Sequence, residues 1–276
     1  MVDLYCHSCY SFLDGASHPE ELVERAVELG YTALALTDHD GVYGSLEFAL
    51  AAKEKLQAIT GAELTLEDGS HLTLLAETRE GYANLCRLIT LGHRNGERRF
   101  PRLPVAALAE HARGLIALSG CRQGQVPRLL EAGRTLAAER TAAQYREWFG
   151  EGRFFLELQA NLAFGDTARN RALAELGRKL GLPLVATNNT HYHVRERHRL
   201  QDTMVAIRHG VTLDDAHPFR RPNSEFALKS PKAFRRRFQA YPQAVENALA
   251  IAERCKGFDI LSDLGYEFPD FQREEG

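Results

Sequence analysis

The segment "LYCHSCYSFLDG" (residues 4–15) places a histidine, His7, in a short apolar run and a carboxylate, Asp14, seven residues later. In a strand, Tyr5 and His7 point to one side and Cys6 to the other, because side chains alternate with period two. A metal site built on such a strand wants His at both same-side positions, and here one of them is Tyr5. The same kind of side chain recurs along the chain: Asp38, His39 and Asp40 in "TDHDG", Glu63 in "GAEL", His71 opening "HLTLLA", Cys121 in "LSGC", and Asn188, Asn189 and His191 in "ATNNTHYH". Imidazole, carboxylate and thiolate are the donors that Zn²⁺, Mn²⁺ and Fe²⁺ accept. Divalent ions held close together generate hydroxide and neutralise charge on a transferring phosphoryl group, so the reaction class to expect is hydrolysis of phosphate esters. Each residue also has an ordinary reading: a hydrogen-bonded structural His, a "DHDG" turn, a small buried Cys. Their conjunction at strand ends is what points to a site.

The elements that must position these residues are legible as apolar runs. "VDLYC", 33–37, 58–64, 71–76, 114–119, 154–159 and 182–188 read as seven strands. Amphipathic stretches lie between them, and "SHPEELVERAVELG" offers Ser17 as N-cap, Glu20 completing a capping box and Gly30 as the stop. Seven strands interleaved with helices predict an α/β fold with a largely parallel sheet, closed as a barrel or open. In either form chemistry collects at the carboxyl ends of the strands. Runs 58–64 and 71–76 are joined by the turn-rich "EDGS" without a helix, which predicts a hairpin-like connection. Beyond about residue 195 the strands stop, and helical patterns follow, broken by the loop "DDAHPFRRPNSEF".

At 276 residues the chain is long enough for one large or two small domains. The hydrophobic and charged fractions, 44% and 26%, are those of an ordinary globular protein, and a net charge of −3 excludes an overall basic field. Contact with a phosphate chain would fall to local patches such as "ERRFPR" (97–102) and "RRR" (235–237). Five cysteines without paired spacing and no charged-then-apolar leader predict a reduced, cytoplasmic setting. No apolar stretch approaches the roughly 20 residues of a membrane helix.

The series "HSCYSFLDGAS", "ALALTDHDGVYG", "GAEL", "HLTLLAETREGYANL", "GLIALSGC" and "VATNNTHYH" resembles the PHP (polymerase and histidinol phosphatase) domain of bacterial family C DNA polymerases, the DNA polymerase III alpha chains. Among these it is most similar to the error-prone alpha chains of translesion synthesis, on "FLDGASHPEELVERAVELGY". "SEFALKSPKAFRRRFQAYPQAVENALAIAERC" with "YEFP" resembles the helical segment leading to the polymerase palm. The resemblance implies a distorted (βα)₇ TIM-like barrel over residues 1–210 and a C-terminal helical extension over 211–276. It implies up to three divalent metals (Zn, Mn or Fe) held by nine ligands, of which His7, Asp14, His39, Glu63, His71, Cys121 and His191 match by position. Tyr5 and Asn189 depart from the pattern, which predicts fewer metals here. A neutral Asn carbonyl removes one negative charge, and a phenol with a pKa near 10 ligates only when a metal pulls that value down.

The expected function is a weakened, metal-dependent 3′–5′ exonuclease acting on a DNA primer 3′ end, with Asp14 and His39 catalytic and Asp40 assisting from beside His39. Expected partners are DNA, the palm and thumb of the same alpha chain, and other replication or repair subunits, with no membrane. A catalytically degraded structural module of the polymerase is the main alternative, and a stand-alone histidinol-phosphatase-like phosphomonoesterase the lesser one.

Overall fold

The computed structural model describes residues 1–265, so the "YEFP" motif lies outside the described residues. Seven strands follow one another around a single sheet in chain order: β1 (Val2–Asp3), β2 (Ala33–Leu36), β3 (Gln57–Thr65), β4 (His71–Ala76), β5 (Leu115–Leu118), β6 (Phe154–Gln159) and β7 (Leu184–Thr187). A bridge between Cys6 and Thr190 joins the extensions of β1 and β7. There the His7 amide donates to the Thr190 carbonyl at 2.8 Å and the Thr190 amide to the Tyr5 carbonyl at 3.0 Å. This closes a distorted (βα)₇ barrel. Asp3 reinforces the seam, because its carboxylate accepts from the Asn188 amide at 3.1 Å and the Thr190 hydroxyl at 3.0 Å.

The distortion is the fourth strand. β4 pairs antiparallel with both β3 and β5, while every other ladder is parallel. Five residues between β3 and β4 leave no room for a crossover helix, so the chain turns back at Gly69, whose φ of +75° suits a residue without Cβ. The consequence is positional. Reversal puts the start of β4 at the same rim as the ends of its neighbours, with His71 opposite Thr65.

Period-two alternation sorts the strand residues. Val2, Leu4, Ala35, Ile59, Leu75 and Val185 face the barrel interior, and Leu34, Leu36 and Cys6 face the shell helices α1 (Pro19–Glu28) and α2 (Ser45–Ala52). The helix start is one residue later than the capping pattern predicts. Pro19 occupies the first turn, so His18 is the N-cap with Glu21 reaching back to its amide, and the Ser17 hydroxyl instead meets the His193 ring at 2.8 Å. On the far side α3 (Arg79–Asn95), α4 (Ala107–His111), α5 (Gln125–Glu131), α6 (Thr135–Phe149) and α7 (Asp166–Leu180) pack over β3–β7. The later segment adds α8 (His198–His209), α9 (Pro231–Arg237) and α10 (Pro242–Arg254).

The last of these, α10, plugs the end of the barrel opposite the rim. Ala248, Ile251 and Ala252 join the interior core, and Gln57 and Asn247 tie the helix to strand starts through the Ala252 and Leu184 carbonyls. Of the basic run 235–237, Arg237 is spent on structure, pairing with Glu225 at 2.6 Å and the Ala160 carbonyl at 2.8 Å.

One interior residue gives the barrel a pH signature. Burial pushes the Glu157 carboxyl up to about 7 from 4.5, against hydrogen bonds from Thr187 and Gln159. Between these values the folded chain keeps a proton that the unfolded chain releases, so stability falls as pH rises through the window and levels off above it. Glu157→Gln removes this slope. The difference in unfolding free energy between variant and natural chain is expected to move in the variant's favour by roughly 2 to 3 kcal/mol from about pH 5 to about pH 8. Urea unfolding at the two pH values measures it, and an unchanged difference would refute it.

Candidate metal centre

The rim opposite α10 gathers all seven of the ligand-type residues expected from sequence, brought there by six of the seven strands. His7 follows β1, Asp14 sits in the β1–α1 loop, and His39 follows β2. Glu63 points inward from β3, His71 opens β4, Cys121 follows β5 and His191 follows β7. Their rings and carboxylates are in mutual contact. His7 lies 4.4 Å from His39, stacked at 17°, and 4.4 Å from His191, while Tyr5 meets His7 edge-on at 5.0 Å. Ligand atoms of His39, Glu63 and His71 fall within 4.8 Å of one another, as do those of His7, His39 and His191.

Two halves can be distinguished, sharing His39. In the first, Glu63 approaches His7 Nε2 at 3.4 Å and His39 Nδ1 at 3.5 Å and pairs closely with His71, whose Nδ1 also lies 3.7 Å from Cys121 Sγ. Both Glu63 oxygens and His7 Nε2 are buried without a hydrogen bond of good geometry. Orphaned polar atoms of this kind are costly unless something satisfies them. Burial opposes charge on His71, yet Glu63 and then Cys121 hold its pKa up at about 11. Burial, with His191 and His39 beside it, drives His7 well below the ordinary range. The half is therefore built of neutral or exchangeable nitrogens around one buried carboxylate, a donor set that fits a divalent cation.

In the second half Asp14 is the carboxylate, and its oxygens are already engaged. His39 Nε2 lies at 3.0 Å, His191 Nε2 at 3.3 Å, Gln201 Nε2 at 3.3 Å, and Arg221 Nη2 at 3.0 and 3.2 Å from the two oxygens. Burial would raise the Asp14 carboxyl, but Arg221 and His191 hold it well below the usual carboxylate range.

Some sequence candidates serve other purposes. Asp38 accepts from the Ser8 amide and hydroxyl, both at 2.7 Å, and from the Ser11 hydroxyl at 2.6 Å, so it shapes the loop that carries His7 and Asp14. Asp40 does not orient His39: at φ +50° its carboxylate turns to the Thr65 amide and hydroxyl, both at 2.7 Å. Asn188 braces the seam through Thr190 and the Ala227 carbonyl. Asn189, also left-handed at φ +52°, gives its amide nitrogen to Gln159 and leaves Oδ1 buried without a partner on the cavity wall.

Above the rim lies a cavity of about 810 Å³. Its mouth carries Arg99, Phe100 and Arg102 of the "ERRFPR" run, with Phe12, Tyr43 and Arg208. Among the described residues no helix is long and apolar enough to cross a membrane.

Residues 3–161 match the family model of the PHP domain. The chain belongs to the PHP domain family. Curated relatives extend the likeness over the rest of this PHP domain. An error-prone DNA polymerase of Symbiobacterium thermophilum is 45% identical over 292 residues, covering 100% of this chain and 27% of the relative. One of Mycobacterium bovis is 42% identical over 99% of this chain and 27% of its own length. A DNA polymerase III subunit alpha of Treponema pallidum is 38% identical over 92% and 23%. The chain thus spans about a quarter of the length of the curated relatives it matches. Among solved structures, an amidohydrolase from Chromobacterium violaceum aligns at TM-score 0.46 and 19% identity over 69% of this chain and 87% of that one. A lesion-specific endonuclease from Pyrococcus furiosus aligns at 0.45 and 14%, over 69% and 48%.

Proposed function

We propose that this PHP domain belongs to an error-prone DNA polymerase alpha chain and acts on DNA 3′ ends as a metal-dependent phosphodiesterase. The observation that carries the reading is the convergence of buried, orphaned ligand atoms (both Glu63 oxygens and His7 Nε2) on the floor of a cavity with a basic, aromatic mouth. His7, His39, Glu63, His71 and Cys121 would hold a Zn²⁺, Mn²⁺ or Fe²⁺ ion, which supplies Lewis-acid charge to the phosphoryl oxygens and acidifies water. The chain's own residues do the rest. Arg99 and Arg102 offer planar, permanently charged donors to phosphate. Phe12, Tyr43 and Phe100, at 79%, 65% and 62% exposure, present faces on which unpaired bases stack. This mouth suits a nucleic-acid strand better than a small phosphomonoester. The five cysteines are free thiols, which accords with the reduced, cytoplasmic setting of such an enzyme.

The alternative, a structural module of the polymerase, draws support from Tyr5 and Asn189 and from the helices that follow the barrel, of which α10 fills the barrel floor. A labelled primer separates the two readings. Shortening from the 3′ end with Mn²⁺ or Zn²⁺, lost in Glu63→Gln and with chelator, is the expected result. An unchanged primer under every metal would leave the structural reading, and turnover of a chromogenic phosphomonoester alone would revive the small-substrate one.

A further inference from the structure

Arg221 was not among the ligand-type residues, yet it reaches into the second half of the rim. It comes from the long loop between α8 and α9, and its Nη2 meets both Asp14 oxygens, at 3.0 and 3.2 Å. The guanidinium also lies 4.8 Å over the face of Phe226. Phe226 is itself fixed to the site, since its carbonyl accepts from the His191 amide at 2.8 Å. Arg221 is therefore clamped between a ring and a carboxylate, with three-quarters of its side chain out of solvent.

The charges around it are equally specific. Among the described residues Asp14 is the only carboxylate of this half, and the two wall residues that could have added charge, Tyr5 and Asn189, bring none. Asp40, on the same rim, is turned to Thr65. Asp14 also receives His39 and the Gln201 amide, so four protein groups surround one carboxylate. In the Glu63 half the situation is reversed: both carboxylate oxygens lack a well-formed hydrogen bond and no Arg or Lys pairs with Glu63 among the described residues. An imidazole can shed its proton to make way for a metal, but a guanidinium cannot.

We infer that Arg221 is the resident cation of the Asp14–His191 half and keeps a divalent ion out of it, leaving the Glu63 half as the metal-binding part of the rim. The inference rests on the metal-centre reading given above. It assigns a different task to each carboxylate: Glu63 serves a divalent ion, and Asp14 serves an organic cation supplied by the chain itself.

Equilibrium dialysis against Mn²⁺, with metal counted per chain by plasma mass spectrometry, tests this on the whole 276-residue chain. The natural chain is expected to take one ion. Arg221→Met, close in length and without charge, is expected to take a second ion, and Arg221→Met/Asp14→Asn to lose it again. Arg221→Lys, which keeps the charge, is expected to stay at one, so that the gain follows loss of charge rather than loosening of the loop. Should Arg221→Met fold poorly by circular dichroism, the same question is asked from the other side with Tyr5→His/Asn189→Asp. With Arg221 in place, restoring these ligands is expected to leave the count at one. A second ion in that double variant, or equal counts in the natural chain and Arg221→Met, overturns the role of Arg221 while leaving the metal centre standing. No ion in any variant, with Glu63→Gln indistinguishable from the natural chain, overturns both.

Discussion

Glu63→Gln is expected to weaken Mn²⁺ or Zn²⁺ binding by about a hundredfold or more, which is roughly 2.7 kcal/mol. Among the described residues Glu63 is the one carboxylate within reach of His7, His39 and His71 together, and both its oxygens are buried. Gln fills the same volume and removes the charge, so packing on β3 is kept while the attraction for a divalent ion is not. Burial raises the Cys121 thiol, with Glu63 adding to the effect, so the cysteine is a poor replacement for the missing anion. Calorimetric titration reads the affinity, and thermal unfolding supplies an independent check. A ligand that binds only the folded chain raises the midpoint, so added Mn²⁺ should stabilise the natural chain and leave the variant's midpoint where it was. Equal metal-induced shifts in the two proteins would remove Glu63 from the centre.

Gly15→Ala is the second change with a large expected effect, and its cause is space rather than backbone angle. A Cβ at this position would lie 1.8 Å from the Ser8 carbonyl oxygen and 2.5 Å from its carbon. Neither can move freely. The Ser8 amide and hydroxyl are held by Asp38, the Cys9 amide donates to the Ser17 carbonyl, and the Gly15 amide donates to the Ser11 carbonyl. Relief requires pushing apart the two sides of the loop that carries His7 on one side and Asp14 on the other. Overpacking against fixed backbone costs about 3 kcal/mol or more, the upper end for such substitutions. Urea unfolding of the variant should show that loss, accompanied by weaker Mn²⁺ binding. A variant as stable as the natural chain would mean that the loop is looser than its hydrogen bonds imply.

The contrast between these loops and Arg221 shows what the sequence made legible. The strands could be read because each is an apolar run, and the rim residues because each lies beside one of those runs. Even the reversal of β4 had a local signal, the five-residue "LEDGS" connection too short for a helix. The details that went differently depend on competition between neighbours. Ser17 has the right chemistry for an N-cap, but Pro19 shifts the helix start and His193, far along the chain, claims the hydroxyl. Asp40 is adjacent to His39 in sequence, yet Thr65 offers its carboxylate two donors. Arg221 had no local signal at all. It is one arginine in a polar loop, and its partner Asp14 lies 207 positions earlier, brought close only when the loop folds back over the rim.

The seam between the first and last strands carries a consequence for motion. β2–β3 and β6–β7 each share four residue pairs, whereas the β1 and β7 extensions meet at the lone Cys6–Thr190 bridge. A cylinder opens where its staves are least joined, so the amides of His7 and Thr190 should exchange with solvent deuterium before those of the β3–β4 hairpin. His7 and His191 stand on opposite sides of that join, and the Arg221–Asp14 pair straddles it. The rim is in this sense also the barrel's latch: whatever occupies it sets how often the cylinder springs open.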